Sequence, residues 1–396
     1  MMPLMAAGMA PALSSGLRLG PWLWGARADS VAFVGSTCLA LLIALAGHRL
    51  GVTGVSDWMW LVLILGVDVA HVHATWFRTY FDRSELERHP LRYLGLPLLL
   101  YAVGVLAYHG SPLLFWRVLV YMAVFHFVRQ QAGWVNLYRS RAGNAGSLDR
   151  WIDQAAIYSA TLYPLLEWHV RPAERAFAWF MAGDFVALPL GAFAPAASVV
   201  WGLSLLVFFA KELVRAVWQR ELALGKILVV ASTAVSWYVG IVAMNSDFVF
   251  TATNVLPHGV PYAFLLFHYV RQRSRQGPSG LVSHVAAGGV GAFAAALLML
   301  AFVEELLWDR LVDHDRAWMF GSGTELEPAL LGWLVPLLAL PQATHYVLDG
   351  LLWRRSEARV RPAQRAAVGF VDVDTLHAQT PPAVALKLSP EREIAR

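Results

Sequence analysis

The stretch that decides the fold runs from Asp68 to Asp82 and reads DVAHVHATWFRTYFD. It continues an apolar run that begins at Trp58, and together the two are long enough to form a membrane-spanning helix. That helix carries Asp68, His71 and His73. Ionisable side chains are costly inside a bilayer and generally face a bundle interior or a water-filled cavity, where they serve a function. The stretch therefore predicts a polar functional site inside a membrane protein.

The composition is that of an integral membrane protein. Of the 396 residues, 58% are hydrophobic and 15% are charged, whereas a soluble domain has about 25% charged residues. The single cysteine, Cys38, excludes an intramolecular disulfide and a metal site built from several cysteines. The formal charge of +4 comes mainly from arginines beside apolar runs. Such arginines are typical of membrane-flanking anchors, so the charge does not indicate a nucleic-acid partner.

The spacing of apolar stretches predicts an all-α, polytopic helix bundle. A spanning helix needs about 20 mostly apolar residues, and ten stretches approach that length. They lie near residues 30–48, 57–79, 93–109, 112–137, 151–168, 194–217, 226–244, 247–270, 284–303 and 329–352. This transmembrane domain, residues 29–353, follows an N-terminal tail with an interfacial tryptophan anchor at 1–28. A basic juxtamembrane segment and flexible tail at 354–396 complete the chain.

The connections between these helices alternate in charge. Those after the second, fourth, sixth and eighth helices contain arginine or lysine, and those after odd-numbered helices have few basic residues, apart from the fifth. Cytoplasmic loops of membrane proteins carry an excess of basic residues. We therefore expect ten spans in the inner membrane, with both termini in the cytoplasm.

Histidines recur on the even-numbered helices. His126 and His268 lie roughly 5 Å from the basic edge at a rise of 1.5 Å per residue, and His258 lies roughly 20 Å from it. Imidazole is a common ligand of iron, copper and zinc. The pattern predicts a metal site facing the cytoplasm, with ligands drawn from His71, His73, His126, His258, His268 and His345.

Further polar residues lie at helical spacing from these histidines. A metal-bound histidine usually donates its other N–H to a neighbouring oxygen, and the candidates are Asp68, Gln130, Asn254, Gln342 and Asp349. Arg129 and Arg271 are candidates for binding a substrate head group. His71 and His73 point about 200° apart on a regular helix, because a helix with 3.6 residues per turn rotates by about 100° per residue. Glu304 and the acidic residues after it are interpreted as a solvated outer loop.

Histidines on several helices near the cytoplasmic face resemble the membrane di-iron oxidoreductases, the class of the fatty-acid desaturases and hydroxylases. The pieces that carry this resemblance are HVH at His71–His73, HFVRQ at His126, PHGVPYAFLLFHY at His258–His268 and QATHYVLD around His345. The resemblance implies a di-iron centre, an oxygen-dependent reaction on a lipid chain and electrons from a redox partner. The chain departs from that class in having neither an HxxxH nor an HxxHH box.

The leading hypothesis is therefore an iron-dependent membrane oxidoreductase that acts on a lipid or isoprenoid-like substrate. Its expected partners are membrane lipids and an electron-transfer protein, without nucleic acid. Haem held by two of the histidines is an alternative cofactor. The alternative functions are a proton-coupled transporter, a lipid-modifying transferase with one histidine as general base, and a non-catalytic scaffold.

Overall fold

Ten long helices make up the described part of the protein. The computed structural model describes residues 17–142, 146–277 and 280–352, and the predicted tails at 1–16 and 354–396 lie outside these residues. We number the long helices α1 Ala26–Arg49, α2 Asp57–Arg78, α3 Leu91–Gly110, α4 Pro112–Arg141, α5 Ser147–Val170, α6 Gly191–Gln219, α7 Leu224–Ala243, α8 Asp247–Ser274, α9 Gly289–Asp313 and α10 Pro328–Leu352. Short helices at Arg83–Arg88, Leu281–Ala287 and Ala317–Phe320 join some of them.

The all-α prediction is confirmed for these residues. The β-structure among them is one parallel pair of two-residue strands, β1 at Arg18–Leu19 and β2 at Glu221–Leu222. Each long helix overlaps one of the ten stretches found in the sequence. α9 and α4 extend further than expected, to Asp313 and Arg141, which changes the position of the polar residues near their ends.

Eight of the ten helices are long and apolar enough to cross a membrane; α5 and α8 are not apolar enough. The reason lies in what each helix touches. α6 has a mean hydropathy of 2.0 and is almost wholly exposed on the outside of the bundle. α8 lies in the interior and buries polar side chains, including Thr251, Asn254 and His258. A helix surrounded by other helices does not need an apolar surface.

Glycines bring the neighbouring helices close to α8. A Cβ atom at Gly47 of α1 would lie 2.2 Å from the ring of Phe248, and one at Gly240 of α7 would lie 2.0 Å from Oγ1 of Thr253. Small residues at helix interfaces let backbones approach closely in membrane proteins, where apolar burial gives little driving force. α8 is therefore the helix around which the others are packed.

Contacts between helix ends divide the bundle into two sides. On one side, the hydroxyl of Tyr138 near the end of α4 donates to Asp29 near the start of α1. On the other side, the N–H of Phe248 at the start of α8 donates to the carbonyl of Thr53, between α1 and α2. Also on that side, Asn245 before α8 donates to the carbonyl of Glu174, just after α5. Consecutive helices thus run in opposite directions.

A buried charge cluster joins four helices on the first side. Asp153 of α5 accepts hydrogen bonds from Arg139 of α4 and Lys211 of α6, and its Oδ2 lies 3.0 Å from Nζ of Lys226 of α7. Glu212 adds a second carboxylate 2.7 Å from Nζ of Lys226. The side chains of Asp153, Glu212 and Lys226 are almost fully buried. Because buried charges must be compensated, this cluster fixes the mutual position of α4, α5, α6 and α7.

We expect Asp153→Asn to lower the free energy of unfolding by about 3–5 kcal/mol, because it leaves buried cations without their carboxylate. An unfolding titration with a denaturing detergent would measure this change. Glu87→Gln is the matched control, since it breaks an exposed pair with Arg83, and exposed pairs contribute little. Equal stability of the Asp153 and Glu87 variants would contradict a structural role for the cluster.

Asp82 connects the loop after α2 to the end of α8. Its carboxylate accepts hydrogen bonds from Nε of Arg273 at 2.7 Å and from the hydroxyl of Tyr269 at 3.1 Å. Burial opposes ionisation of Asp82, but the hydrogen bonds from Arg273 and Ser84 outweigh it and hold its pKa below the usual value. The ionised form of Asp82 is therefore the form that stabilises this contact.

The contribution of Asp82 should depend on pH. The pKa of an aspartate is about 3.9 in an unfolded chain and lower here, so the stabilisation is present above about pH 4 and is lost as the pH falls towards the folded-state pKa. At pH 7 we expect Asp82→Asn to cost about 1.5–3 kcal/mol, the range for hydrogen bonds to charged groups. Unfolding measured from pH 7 to pH 3 should show this difference shrink; a difference independent of pH would contradict the assignment.

Candidate metal centre

The helix that contains the opening stretch is irregular, and this determines where its histidines point. α2 is π-helical from Trp60 to Val69, α-helical from Ala70 to Ala74, and ends in a 3₁₀ turn. π-helical turns are uncommon and often occur at functional sites. His71 and His73 lie just after the change of pitch and project to different sides, as their two-residue spacing requires.

Four histidines from four helices meet in the interior of the bundle. Nε2 of His126 (α4) lies 3.2 Å from Nε2 of His258 (α8) and 3.2 Å from Nε2 of His345 (α10). The ring of His71 (α2) lies edge to face with the rings of His258 and His345, at 4.8 and 5.1 Å between centroids. All four side chains are at most 3% exposed. We call these residues the four-histidine cluster.

Hydrogen bonds to the outer ring nitrogens determine the tautomers in this cluster. Nδ1 of His71 lies 3.3 Å from the carbonyl of Val67, which can only accept, so this nitrogen carries the proton. Nδ1 of His126 lies 3.4 Å from a carboxylate oxygen of Asp349, an acceptor when ionised. In each ring the lone pair is then on Nε2, which faces the centre of the cluster.

His345 has its own anchor. Its Nδ1 lies 2.7 Å from Oγ1 of Thr75, and that hydroxyl lies 2.9 Å from the hydroxyl of Tyr262. Nδ1–H of His345 can therefore donate to Thr75, which in turn donates to Tyr262. This chain fixes the ring orientation; with Nδ1–H as the donor, the lone pair of His345 is on Nε2, as in His71 and His126. Such anchoring of the second nitrogen is usual for metal-bound histidines.

His258 is held by its ring face and its backbone. Its imidazole stacks on Phe127 with 3.5 Å between ring centroids, and its carbonyl accepts a hydrogen bond from Gln130. Among the described residues, Nδ1 of His258 and Nε2 of His71 have no hydrogen-bond partner although both are buried. A buried polar atom without a partner is unfavourable, so these nitrogens indicate that the cluster is built to bind something.

The ligand atoms of the cluster have the spacing of a metal site. All lie within 4.8 Å of one another. Two imidazole nitrogens on one ion are about 3–4.2 Å apart, since each lies about 2.0–2.1 Å from the metal; the widest pair therefore has to close by about 0.6 Å. Converging lone pairs repel one another, and a cation at their centre removes that repulsion. The four buried histidines can thus hold a metal ion.

His73 and His268, the other two predicted ligands, lie apart from this cluster. Nε2 of His73 is 2.8 Å from a carboxylate oxygen of Glu304, and its ring is edge to face with Trp76. His268 stacks on Trp24, 5.3 Å between centroids, and its Nδ1 bonds the carbonyl of Phe264. Neither residue belongs to the group of side chains whose possible ligand atoms all lie within 4.8 Å of one another.

Of the residues predicted to orient the metal-bound histidines, some contact the cluster and others do not. Asp349 contacts a cluster ring, Asp68 has a carboxylate oxygen 3.7 Å from Nδ1 of His71, and Gln130 bonds the backbone of His258. Gln342 donates to Glu304 instead, at 2.5 Å, and Asn254 donates to a carbonyl of its own helix. The two arginines have local partners: Arg129 donates to the hydroxyl of Tyr158, and Arg271 lies over the ring of Phe267.

The sequence did not indicate a role for Thr75 or Tyr262, and it led to a wrong position for Glu304. Thr75 and Tyr262 are neutral and common in membrane helices, so no signal distinguishes them. Glu304 was assigned to a solvated outer loop, and that assignment is wrong because α9 continues to Asp313 and buries Glu304 against His73.

Comparison of the chain with protein-family models, with curated proteins and with solved structures found no match. The assignment of the site therefore depends on its geometry. That geometry is a bundle with eight helices able to cross a membrane and a buried four-histidine cluster at the meeting point of α2, α4, α8 and α10.

Gly259 controls the distance between two helices of the site. A Cβ atom there would lie 2.8 Å from Cγ1 and 3.3 Å from the carbonyl oxygen of Val67, and 3.5 Å from Cβ of His71. We expect Gly259→Ala to push α2 away from α8, to lower the free energy of unfolding by about 1–3 kcal/mol as overpacking does, and to reduce metal content. Elemental analysis and unfolding of the purified variant would test this.

Gly202→Ala is the matched control for this substitution. Nothing lies within 4 Å of a Cβ atom at that position of α6, and alanine is the better helix former by about 1 kcal/mol. The control should be as stable as the parent or more so, with unchanged metal content. If both variants keep their metal and their stability, close packing at Gly259 does not hold the site together.

Proposed function

We propose that the protein is a metal-dependent membrane oxidoreductase whose iron is bound by His71, His126, His258 and His345. The observation that supports this most strongly is the convergence of four imidazole nitrogens on one buried point, where His71, His126 and His345 each have a partner at the other ring nitrogen. Four histidines without a thiolate suit iron, copper or zinc. Iron, when bound, would supply oxygen-dependent redox chemistry.

The four ligands favour a single ion over the alternatives. The carboxylate of Glu304 lies with His73, outside the ligand group, so among the described residues the set lacks the bridging carboxylate that a di-iron centre would use. Haem is also disfavoured. The rings of His126 and His345 are 4.6 Å apart between centroids, and a porphyrin cannot be placed between imidazoles that already touch.

The location of the cluster supports a membrane-dissolved substrate. Three of its four helices, α2, α4 and α10, are long and apolar enough to cross a membrane, so a lipid or isoprenoid-like molecule can approach from the bilayer without passing through water. Electrons would come from a redox partner at the membrane surface. Arg129 and Arg271, the predicted contacts for a substrate head group, are exposed and have local partners instead.

We also propose that all ten long helices cross the inner membrane, with both termini in the cytoplasm. α5 and α8 have 24 and 28 residues, which correspond to about 36 and 42 Å at 1.5 Å per residue and exceed a hydrocarbon core of about 30 Å. α8 has Phe248 on one side of the bundle and Arg273 on the other, as its contacts with Thr53 and Asp82 require. The basic loops then fall on the side of Asp82.

Metal analysis of single histidine variants tests the proposal. We expect roughly one iron atom per chain in the parent protein, lost in His71→Ala, His126→Ala, His258→Ala and His345→Ala, because a buried site with one ligand missing is markedly weaker. His73→Ala and His268→Ala should retain the metal, because these residues lie outside the cluster. Elemental analysis and optical spectra of detergent-purified protein would provide both readouts, with exposed His48→Ala as an inert control.

Other results would direct attention to other functions. Absence of metal after expression with iron supplied, or unchanged metal in all four cluster variants, would refute the proposal. A transferase with a general base would need one essential histidine and no metal. A haem band lost only in two of the four variants would keep redox chemistry and replace the cofactor.

A further inference from the structure

An apolar groove opens on the flank of the bundle between α3 and α10. It has a volume of about 880 Å³, and its walls include Trp76, Tyr93, Leu98, Leu337, Pro341 and Thr344. This volume lies within the roughly 300–1,000 Å³ of small-molecule sites. None of the described residues that line it carries a charge. The groove is therefore suited to a hydrocarbon and not to a phosphate or carboxylate.

α10 is interrupted where it lines the groove. The helix turns at Ala339, between the segments Pro328–Leu338 and Leu340–Leu352. Pro341, directly after this turn, has no N–H to donate to the preceding turn of the helix, and prolines bend helices at such positions. Leu340, Pro341 and Thr344, which follow this interruption, line the groove.

The groove has an outer mouth and an inner end. Its mouth is lined by Leu94, Leu98 and Leu337, which are 56%, 69% and 50% exposed on the membrane-spanning surface. Its inner end is lined by buried residues, among them Tyr93 and Thr344. Thr344 directly precedes the cluster residue His345. The groove thus runs from the exposed surface of α3 to the helix that carries the cluster residue His345.

One polar atom at the inner end has no partner. The hydroxyl of Thr344 is buried and makes no hydrogen bond with any described residue. A threonine within a helix ordinarily bonds the carbonyl three or four residues earlier, and Thr161, Thr233 and Thr253 do so in this protein. Leaving a buried hydroxyl unpaired is unfavourable, so its place on the wall of the groove indicates a ligand that supplies the missing hydrogen bond.

We propose that this groove binds a lipid with one long hydrocarbon chain that enters from the bilayer and ends in a neutral oxygen group hydrogen-bonded to Thr344. The absence of charge along the described lining selects an alcohol, aldehyde or ketone over an ionised acid or phosphate. The identification of this lipid as substrate rests on the proposed oxidoreductase function, because the groove ends beside a ligand of the metal. The binding itself requires no metal.

Equilibrium binding of radiolabelled long-chain alcohols to the full chain in lipid nanodiscs would test the proposal. Oleyl alcohol and geranylgeraniol are the probes, so that acyl and isoprenoid chains are distinguished, and 1-octadecene is the hydrocarbon without oxygen. Leu98→Trp fills the mouth, and Thr344→Val keeps the side-chain shape but removes the hydroxyl. Leu99→Trp is the matched control, because Leu99 is also exposed on α3, at 60%, but does not line the groove.

We expect Leu98→Trp to weaken binding of at least one alcohol tenfold or more, and Leu99→Trp to bind like the parent. Thr344→Val should weaken binding of that alcohol roughly three- to tenfold, the effect of one hydrogen bond, and leave binding of 1-octadecene unchanged. Equal affinities in all four proteins would overturn the groove as a site. Loss in Leu98→Trp without loss in Thr344→Val would overturn the assignment of the oxygen group.

Metal content measured on the same samples separates this proposal from the proposed function. Alcohol binding with the expected pattern in a protein that contains no metal would refute the oxidoreductase and leave the groove. Metal present and lost in the cluster variants, with alcohol binding insensitive to Leu98→Trp, would leave the oxidoreductase and refute the groove. Leu98→Trp should keep its metal in either case, because the groove mouth is remote from the four rings.

Discussion

The structure depends on one constraint, which is that four buried imidazoles from α2, α4, α8 and α10 share a point in the bundle interior. Neutral histidines buried together need partners for their outer nitrogens, because an unpaired buried polar atom is unfavourable. Asp349, Thr75 and the carbonyl of Val67 provide those partners. The arrangement is therefore set by hydrogen bonds around the cluster as well as by the histidines themselves.

The same constraint explains why only eight of the ten long helices are apolar enough to be recognised as membrane spans by their hydropathy. A helix that contributes to a buried polar site has to carry polar residues on more than one face, and α8 carries Asn254, His258 and two prolines in its interior half. Its surroundings are other helices, approached closely through Gly47, Gly240 and Gly259. The ion pair of Asp82 with Arg273 near the C-terminal end of α8 gives a second reason for its low mean hydropathy. The polar composition of α8 thus reflects its central position in the bundle.

Much of the fold was accessible from the sequence, since apolar length and basic loops indicated ten helices at the observed places. The site was accessible in part. Both His71 and His73 were predicted ligands, although they point about 200° apart on a regular helix; the structure brings only His71 to the cluster. The depth of His126 in the membrane stays a prediction, because α4 continues past Arg129 to Arg141 and its length alone does not fix where the basic edge lies. Which histidines converge depends on helix rotation and bends, and these come from packing between distant segments.

The ion-pair networks of the bundle are separate from the four-histidine cluster. The formal charges of the bundle are concentrated in networks such as Asp153 with Arg139 and Lys226, where each charge is compensated and fixes helix ends. The cluster, in contrast, is made of neutral imidazoles whose nearest carboxylates, Asp349 and Asp68, lie at its edge. A cation placed there would be balanced by those carboxylates and surrounded by aromatic rings. Such a centre suits chemistry on an apolar molecule, because water has no polar surface along which to reach it from the groove side.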